Sequence, residues 1–214
     1  MNFSVSEIEV LAREKYGLSV KALALNGYDE LNFILTEPTG KKYIFKVATD
    51  DHVFEFLDAQ VKIVNHLSAS PVSGKFQRYV KNSEGNELTT LIVNNKNYYL
   101  RVLSFLEGTF WVDAANHSDT LMYNLGSVLG EMDKSLQSFK HPAMHRHYDW
   151  DVANALDGRM YLHHIKDHER RRIAGYFLLQ FETEVTPLLN QLRKAYIYSD
   201  ANDYNVIVSG SEVT

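Results

Sequence analysis

Asp200 and Asn205, in the stretch Tyr198-Ser-Asp-Ala-Asn-Asp-Tyr-Asn-Val-Ile-Val208, are the residues of this chain best suited by type and spacing to do chemistry. A carboxylate can take the proton of a hydroxyl or hold that hydroxyl in line for attack, and an amide oxygen five residues on can ligate Mg²⁺. Those are two needs of moving a phosphoryl group onto an alcohol. The same spacing occurs at Asp119/Asn124 and Asp149/Asn154, in segments that read as helix or helix start, so context has to choose. Only Asp200 follows an apolar approach, Ala195-Tyr-Ile-Tyr198, and leads into Val206-Ile-Val208 and the turn Ser209-Gly-Ser-Glu212. That is a loop running into a hairpin strand, as a catalytic loop requires. A turn in which Asp and Asn bond their own backbone has the same composition.

The elements that must position such a loop can be followed from the N-terminus. Ser6 and Glu9 form a candidate capping box, Val5 and Val10 a candidate staple, and Gly17 a helix end. Residues 18–25, 31–36 and 42–48 read as strands, joined by Asn26-Gly-Tyr-Asp-Glu30 and by the tight turn Glu37-Pro-Thr-Gly40. In the third strand Tyr43, Phe45 and Val47 share one face, Ile44 and Lys46 the other. Phe54, Leu57, Val61, Val64 and Leu67 recur at helical spacing over 52–68, and strands return near 76–81, 88–93 and 97–104. After Glu107-Gly108 the pattern turns helical: Leu121, Leu125, Val128, Leu129, Met132, Leu136 and Phe139 form a stripe broken at His141-Pro142, and further helices are expected over 151–165 and 169–194. The chain therefore divides, by pattern, into a β-rich lobe at 1–103 and a helical lobe at 104–214.

Composition narrows the class. With 214 residues and 45% hydrophobic content the chain can bury a sizeable core. No apolar run approaches the roughly 18 residues of a membrane span, and the first residues lack the blocks of a signal peptide. Zero cysteines exclude disulfides and thiolate metal sites, which suits a cytoplasmic protein. A net charge of -5 argues against general affinity for nucleic acid or an anionic membrane.

Three strands, a helix, more strands, a joint, then helices and a catalytic-type loop is the element order of the α+β, two-lobed protein-kinase-like fold. The chain resembles the aminoglycoside phosphotransferase and choline kinase superfamily, most closely its hydroxylysine kinase branch. The resemblance rests on Gly27-Tyr-Asp-Glu-Leu-Asn-Phe33, Tyr43-Ile-Phe-Lys-Val47, Leu57-Asp-Ala-Gln60, Leu129-Gly-Glu-Met-Asp-Lys-Ser-Leu-Gln-Ser-Phe-Lys-His-Pro142 and Ser199-Asp-Ala-Asn-Asp-Tyr-Asn-Val206, in that order along the chain. It implies a phosphotransferase using ATP and Mg²⁺ on a hydroxyl of a small, amine-bearing metabolite. Similar domains also open larger bacterial proteins that continue into a class III aminotransferase, so further domains C-terminal in the polypeptide are among the expectations.

The resemblance implies that Lys46 meets the α and β phosphates, with a helix carboxylate as its partner: Asp58 at the aligned position, or Glu55 one turn earlier. Gly27, with the backbone and side chains of Tyr28, Asp29 and Asn32, would cover the phosphates, although a hairpin turn needs no ligand. The joint Leu103-Ser-Phe-Leu-Glu107, Ser104 and Leu106 above all, would present backbone groups and apolar walls to adenine. Asp200 would be the catalytic base and Asn205 the Mg²⁺ ligand.

Three departures stand out. Tyr198 replaces the family's histidine and Ser199 the glycine before the base, and Asp58 is a methylene shorter than the usual glutamate. The next strand of the family, with its second metal-binding aspartate, would lie beyond Thr214, so the expectation is a fold truncated at the C-terminus, with little activity from the isolated chain. The competing expectation is a non-catalytic kinase-like domain that binds a ligand or organises a larger protein. Among nine histidines, His164 and His168 have ligand-pair spacing but no accompanying zinc motif. Asp203 is read as a solvated loop residue, Trp150 as a buried indole and Asp151 as a helix N-cap.

Overall fold

The computed structural model describes residues 3–27, 30–49, 54–145 and 147–213. Helix α1 (Val5–Tyr16) starts at a capping box made by Ser4 and Glu7: the Glu7 N–H donates to Ser4 Oγ at 3.3 Å and the Ser4 N–H to Glu7 Oε2 at 2.8 Å. The box expected at Ser6 and Glu9 does not form, because Glu9 is drawn to the first strand, accepting from the Ala22 N–H at 3.1 Å and pairing with Lys21. Val5 and Val10 are exposed and do not act as a staple. Gly17 ends the helix in the left-handed region at φ +67, its N–H returning to Arg13 O.

One six-stranded antiparallel sheet follows. Its strands are β1 (Lys21–Leu25), β2 (Leu31–Thr36), β3 (Lys42–Ala48), β4 (Tyr79–Val80), β5 (Thr89–Val93) and β6 (Lys96–Ser104), in the order β1-β2-β3-β6-β4, with β5 also on β6. The alternation expected in β3 holds: Tyr43, Phe45 and Val47 are buried against Ile8, Ala12 and Tyr16 of α1, with Phe33, Leu35, Tyr98, Leu100 and Val102 completing that core. Asn32, Lys46 and Arg101 of the same strands therefore fall on the opposite face of the sheet.

Helix α2 (Phe54–Leu67) and helix α3 (Asp119–Leu136) carry the site's other supports. Leu67 and Val72 pack with Met132 and Leu136, and Tyr196 joins them, so the chain re-enters this core just before the Asp200 loop. At the start of α3, Leu121 packs with Val206, Val208 and Val213. Val208 and Val213 belong to a small antiparallel sheet of β7 (Thr109–Phe110), β8 (Ile207–Ser209) and β9 (Glu212–Val213), the hairpin strand expected after Asn205 among them, and Val206 leads into it.

Two compact units result, Met1–His141 with Tyr196–Thr214, and Pro142–Ala195. The second differs from its expected pattern. Val152–His164 is a run of 3-10 turns capped by Asp151, whose carboxylate accepts from the Ala153 N–H at 2.9 Å; its apolar residues share no face and none is buried. Trp150 is 80% exposed, contrary to the buried indole expected. Helix α4 (His168–Gln180) loosens into a π turn at Phe181–Val185 and 3-10 turns at Thr186–Gln191, because Pro187 has no N–H for a continuing α-helix. No helix among the described residues is long and apolar enough to cross a membrane.

Candidate active site

Asn32, Lys46 and Arg101 stand directly opposite one another on β2, β3 and β6, so their side chains leave the same face of the sheet in one row. Arg101 is only 2% exposed. A buried guanidinium must be paired, and Glu30 meets it through Nη2 while Gln60 of α2 accepts from Nη1 at 2.8 Å. Glu30 also faces Lys46, its second carboxylate oxygen 3.8 Å from Nζ. Burial holds the Lys46 ammonium below the ordinary lysine range; Glu30 opposes that shift and Arg101 adds to it. Burial likewise pushes the phenol of Tyr79, on β4, up against the pull of Arg101.

The carboxylate beside Lys46 is thus Glu30, not Asp58. Asp58 lies 2.5 Å from Lys62 one turn along α2 and 3.5 Å from the His141 ring, so the shorter side chain is held at the helix's own surface. Glu55 is exposed. Asn32 donates to the Glu30 carbonyl at 3.1 Å, and its Oδ1, like Arg101 Nε, is buried without a hydrogen bond among the described residues. The glycine at Gly27 is required here: a Cβ at that position would collide with the Glu30 carbonyl and the Asn32 amide. Tyr28 and Asp29, expected over the phosphates, lie outside the described residues.

At the joint after β6, Ser104 is already engaged. Its N–H donates to Arg78 O at 2.8 Å, its hydroxyl accepts from the Arg78 N–H at 2.9 Å, and its carbonyl accepts from Gln77 at 3.0 Å. The main chain free to meet a ligand is therefore that of the following residues. Leu103 and Leu106 wall an apolar cleft of about 220 Å³ whose lining also includes Met132, Tyr198, Asn205 and Val206.

Asp200 and Asn205 are brought together at the end of that cleft's chain segment. The Asn205 amide donates to Asp200 Oδ2 at 2.7 Å and to the Asp200 carbonyl at 3.0 Å, while Asn202 donates to Asp200 Oδ1 at 2.8 Å. Asn202 in turn accepts from the Tyr204 N–H at 2.9 Å, an Asx turn that sets the loop's curl. The Trp111 N–H donates to Val206 O and the Val112 N–H to Asp203 O, which stitches the loop to the segment after β7. With its nitrogen on Asp200, Asn205 keeps Oδ1, the atom a divalent cation would take, without a hydrogen bond among the described residues. Burial, then the Asp200 charge, push the Tyr198 phenol up. Asp203 is exposed, and no cluster of three metal-binding side chains, histidine or otherwise, occurs among the described residues.

Sequence reasoning passed over Glu30, Gln60 and Arg101. A signal for Arg101 was present, since a lone arginine inside Tyr98-Tyr-Leu-Arg-Val-Leu103 reads as a charge carried into a buried strand. Nothing in the sequence marked Glu30, which stands in a connection rich in polar residues.

Residues 20–214 match the model of the phosphotransferase enzyme family. The chain is 27% identical to hydroxylysine kinase of Xenopus laevis over 92% of its own length and 57% of that protein's, and 24% identical to hydroxylysine kinase of Bos taurus over 99% and 60%. It thus spans less than two thirds of these curated relatives. Its fold is that of an amicoumacin kinase solved in complex with AMP-PNP and Ca²⁺, with a TM-score of 0.72 over 99% of this chain and 62% of that one at 16% identity. A microcompartment-associated aminopropanol kinase superposes with a TM-score of 0.54 over 77% and 58% at 16% identity. The fold is kinase-like and α+β.

Proposed function

The chain belongs to the phosphotransferase enzyme family, and on that premise we propose that its residues serve a small-molecule kinase that moves a phosphoryl group from Mg-ATP to a hydroxyl of a small, amine-bearing metabolite. The observation that carries this reading is the 2.7 Å hydrogen bond between Asn205 and Asp200, in a loop whose carboxylate is exposed to an incoming hydroxyl. The relatives' names, hydroxylysine kinase and aminopropanol kinase, support an acceptor bearing both an amine and a hydroxyl.

The donor set fits a magnesium nucleotide. Asn205 Oδ1 is the oxygen for the cation, Lys46 the cation for the α and β phosphates, and Leu106 with the apolar cleft the wall for adenine. When bound, Mg-ATP supplies the phosphoryl group and neutralises part of its charge. Asp200 orients the acceptor hydroxyl and takes its proton, and Asn205 and Asn202 fix the carboxylate for that task. Asn32, through its bond to the Glu30 carbonyl, holds in place the carboxylate that faces Lys46.

Titration calorimetry of ATP with and without Mg²⁺ tests the reading. Binding should depend on Mg²⁺, weaken at least about ten-fold in Lys46→Met, and lose its Mg²⁺ dependence in Asn205→Ala. Affinity indifferent to the cation would sink it. The commitment of Asp58 to Lys62 and His141 favours a second reading, a non-catalytic ligand-binding domain, which the same titration separates.

A further inference from the structure

The row of side chains on β2, β3 and β6 holds more positive charge than a phosphate-binding lysine needs. Resting on the phosphotransferase reading of Lys46, we propose that Arg101 is a positioning residue that sets Lys46 through Glu30: the guanidinium fixes the carboxylate, and the carboxylate fixes the ammonium.

Four observations carry this. Arg101 and Lys46 are direct cross-strand neighbours, so both cations project from adjacent backbones with no freedom to separate. Glu30 uses one oxygen for Arg101 and the other for Lys46, which makes it a bridge rather than a simple partner. The helix carboxylate that could have held Lys46 is engaged by Lys62 and His141, and the side chain that α2 sends to this group is the neutral Gln60, which reaches Arg101. Finally, Glu30 is fixed from behind, its carbonyl held by Asn32 in the space that Gly27 leaves open.

The consequence is a different coupling. A lysine held by a helix carboxylate senses where that helix stands. Here, among the described residues, α2 reaches the lysine through Gln60, Arg101 and Glu30. Two cations share one carboxylate, so the group keeps one positive charge uncompensated among its described members, and Arg101 Nε and Asn32 Oδ1 remain without hydrogen bonds. A buried cluster of that kind is completed by an anion, which the nucleotide phosphates provide.

Among the described residues, the charged and titratable groups facing Lys46 are Glu30, Arg101 and, beyond Arg101, Tyr79. The test follows the reactivity of Lys46 toward trinitrobenzenesulfonate as a function of pH in the nucleotide-free chain, read by peptide mass spectrometry, alongside Mg-ATP affinity. Arg101→Met should move the Lys46 titration to higher pH, because a repelling cation has gone, and Glu30→Gln should move it to lower pH. Each variant should weaken Mg-ATP about ten-fold, and the double variant should be little worse than either, since both act on one path. Unmoved Lys46 titrations, or affinity losses that simply add, would overturn the proposal. Should Arg101→Met fail to fold, as far-ultraviolet circular dichroism would report, Glu30→Gln, which keeps shape and removes only charge, decides by itself. If the parent chain binds no nucleotide, the kinase reading fails on its own account, while the opposed shifts of Lys46 still judge the bridge.

Discussion

On the sheet side of the candidate site Arg101 is 2% exposed, with Glu30, Lys46, Asn32 and Gln60 gathered about it, whereas on the loop side Asp200, Asn202 and Asn205 are all exposed and hold chiefly one another. The two sides solve different problems. A cation for phosphates gains strength from low dielectric and a fixed seat, and it must then be balanced by a carboxylate of its own. A base must meet a substrate that arrives from water, so its carboxylate stays accessible and is oriented by short-range amide bonds. Rigidity on the first side comes from strand register, and on the second from a turn.

That contrast can be broken most directly by stability. Arg101→Ala should cost about 3–5 kcal/mol in urea unfolding, because it leaves the Glu30 charge poorly paired in a buried setting. A loss below about 1 kcal/mol would mean that the sheet side is as tolerant as the loop.

A smaller effect tests the platform on the other face of the same strand. Tyr16 donates to the Leu100 carbonyl at 3.0 Å and meets Thr89 Oγ1 at 3.1 Å, and burial pushes its phenol from 10.0 up to about 12. Between those values the folded phenol keeps its proton while the unfolded one loses it. The unfolded state then binds fewer protons, so stability falls as pH rises through that window, by roughly 2–3 kcal/mol. Tyr16→Phe should flatten the fall, and an unchanged profile in that variant would assign the loss elsewhere.

The smallest change belongs to the loop. Asn205→Ala removes two hydrogen bonds that water can replace, and it should shift unfolding by no more than about 1 kcal/mol while abolishing the Mg²⁺ dependence of nucleotide binding. A cost as large as that of Arg101→Ala would erase the distinction between the two sides.

Much of the fold was legible because its signals are local and periodic. Alternation in Tyr43-Ile-Phe-Lys-Val47 gave both the strand and the face of Lys46, and the stripe from Leu121 to Leu136 gave α3. The segment Pro142–Ala195 was less so. It buries none of its described residues, and many of its apolar positions, Trp150, Tyr161 and Phe177 among them, are exposed, so periodicity there had no buried core to answer to. The capping box shows the same limit on a small scale: Ser4/Glu7 and Ser6/Glu9 are equivalent as sequence, and the contact of Glu9 with β1 chose between them.

In the site, spacing together with its context, an apolar approach before Asp200 and a strand after Asn205, singled out Asp200 and Asn205, since both lie in one loop and their bond spans five residues. It also placed Lys46 on its strand. The partner of Lys46 was beyond its reach. Glu30 and Arg101 are separated by 71 positions, and they meet only because β3 lies between β2 and β6 in the sheet. The sequence by itself determined which residues could do chemistry and which face of each strand they leave, because those follow from side-chain type and a two-residue period. Only the tertiary structure decided that Glu30 rather than Asp58 holds the lysine, because strand order and register, not spacing along the chain, set which charges share a buried seat.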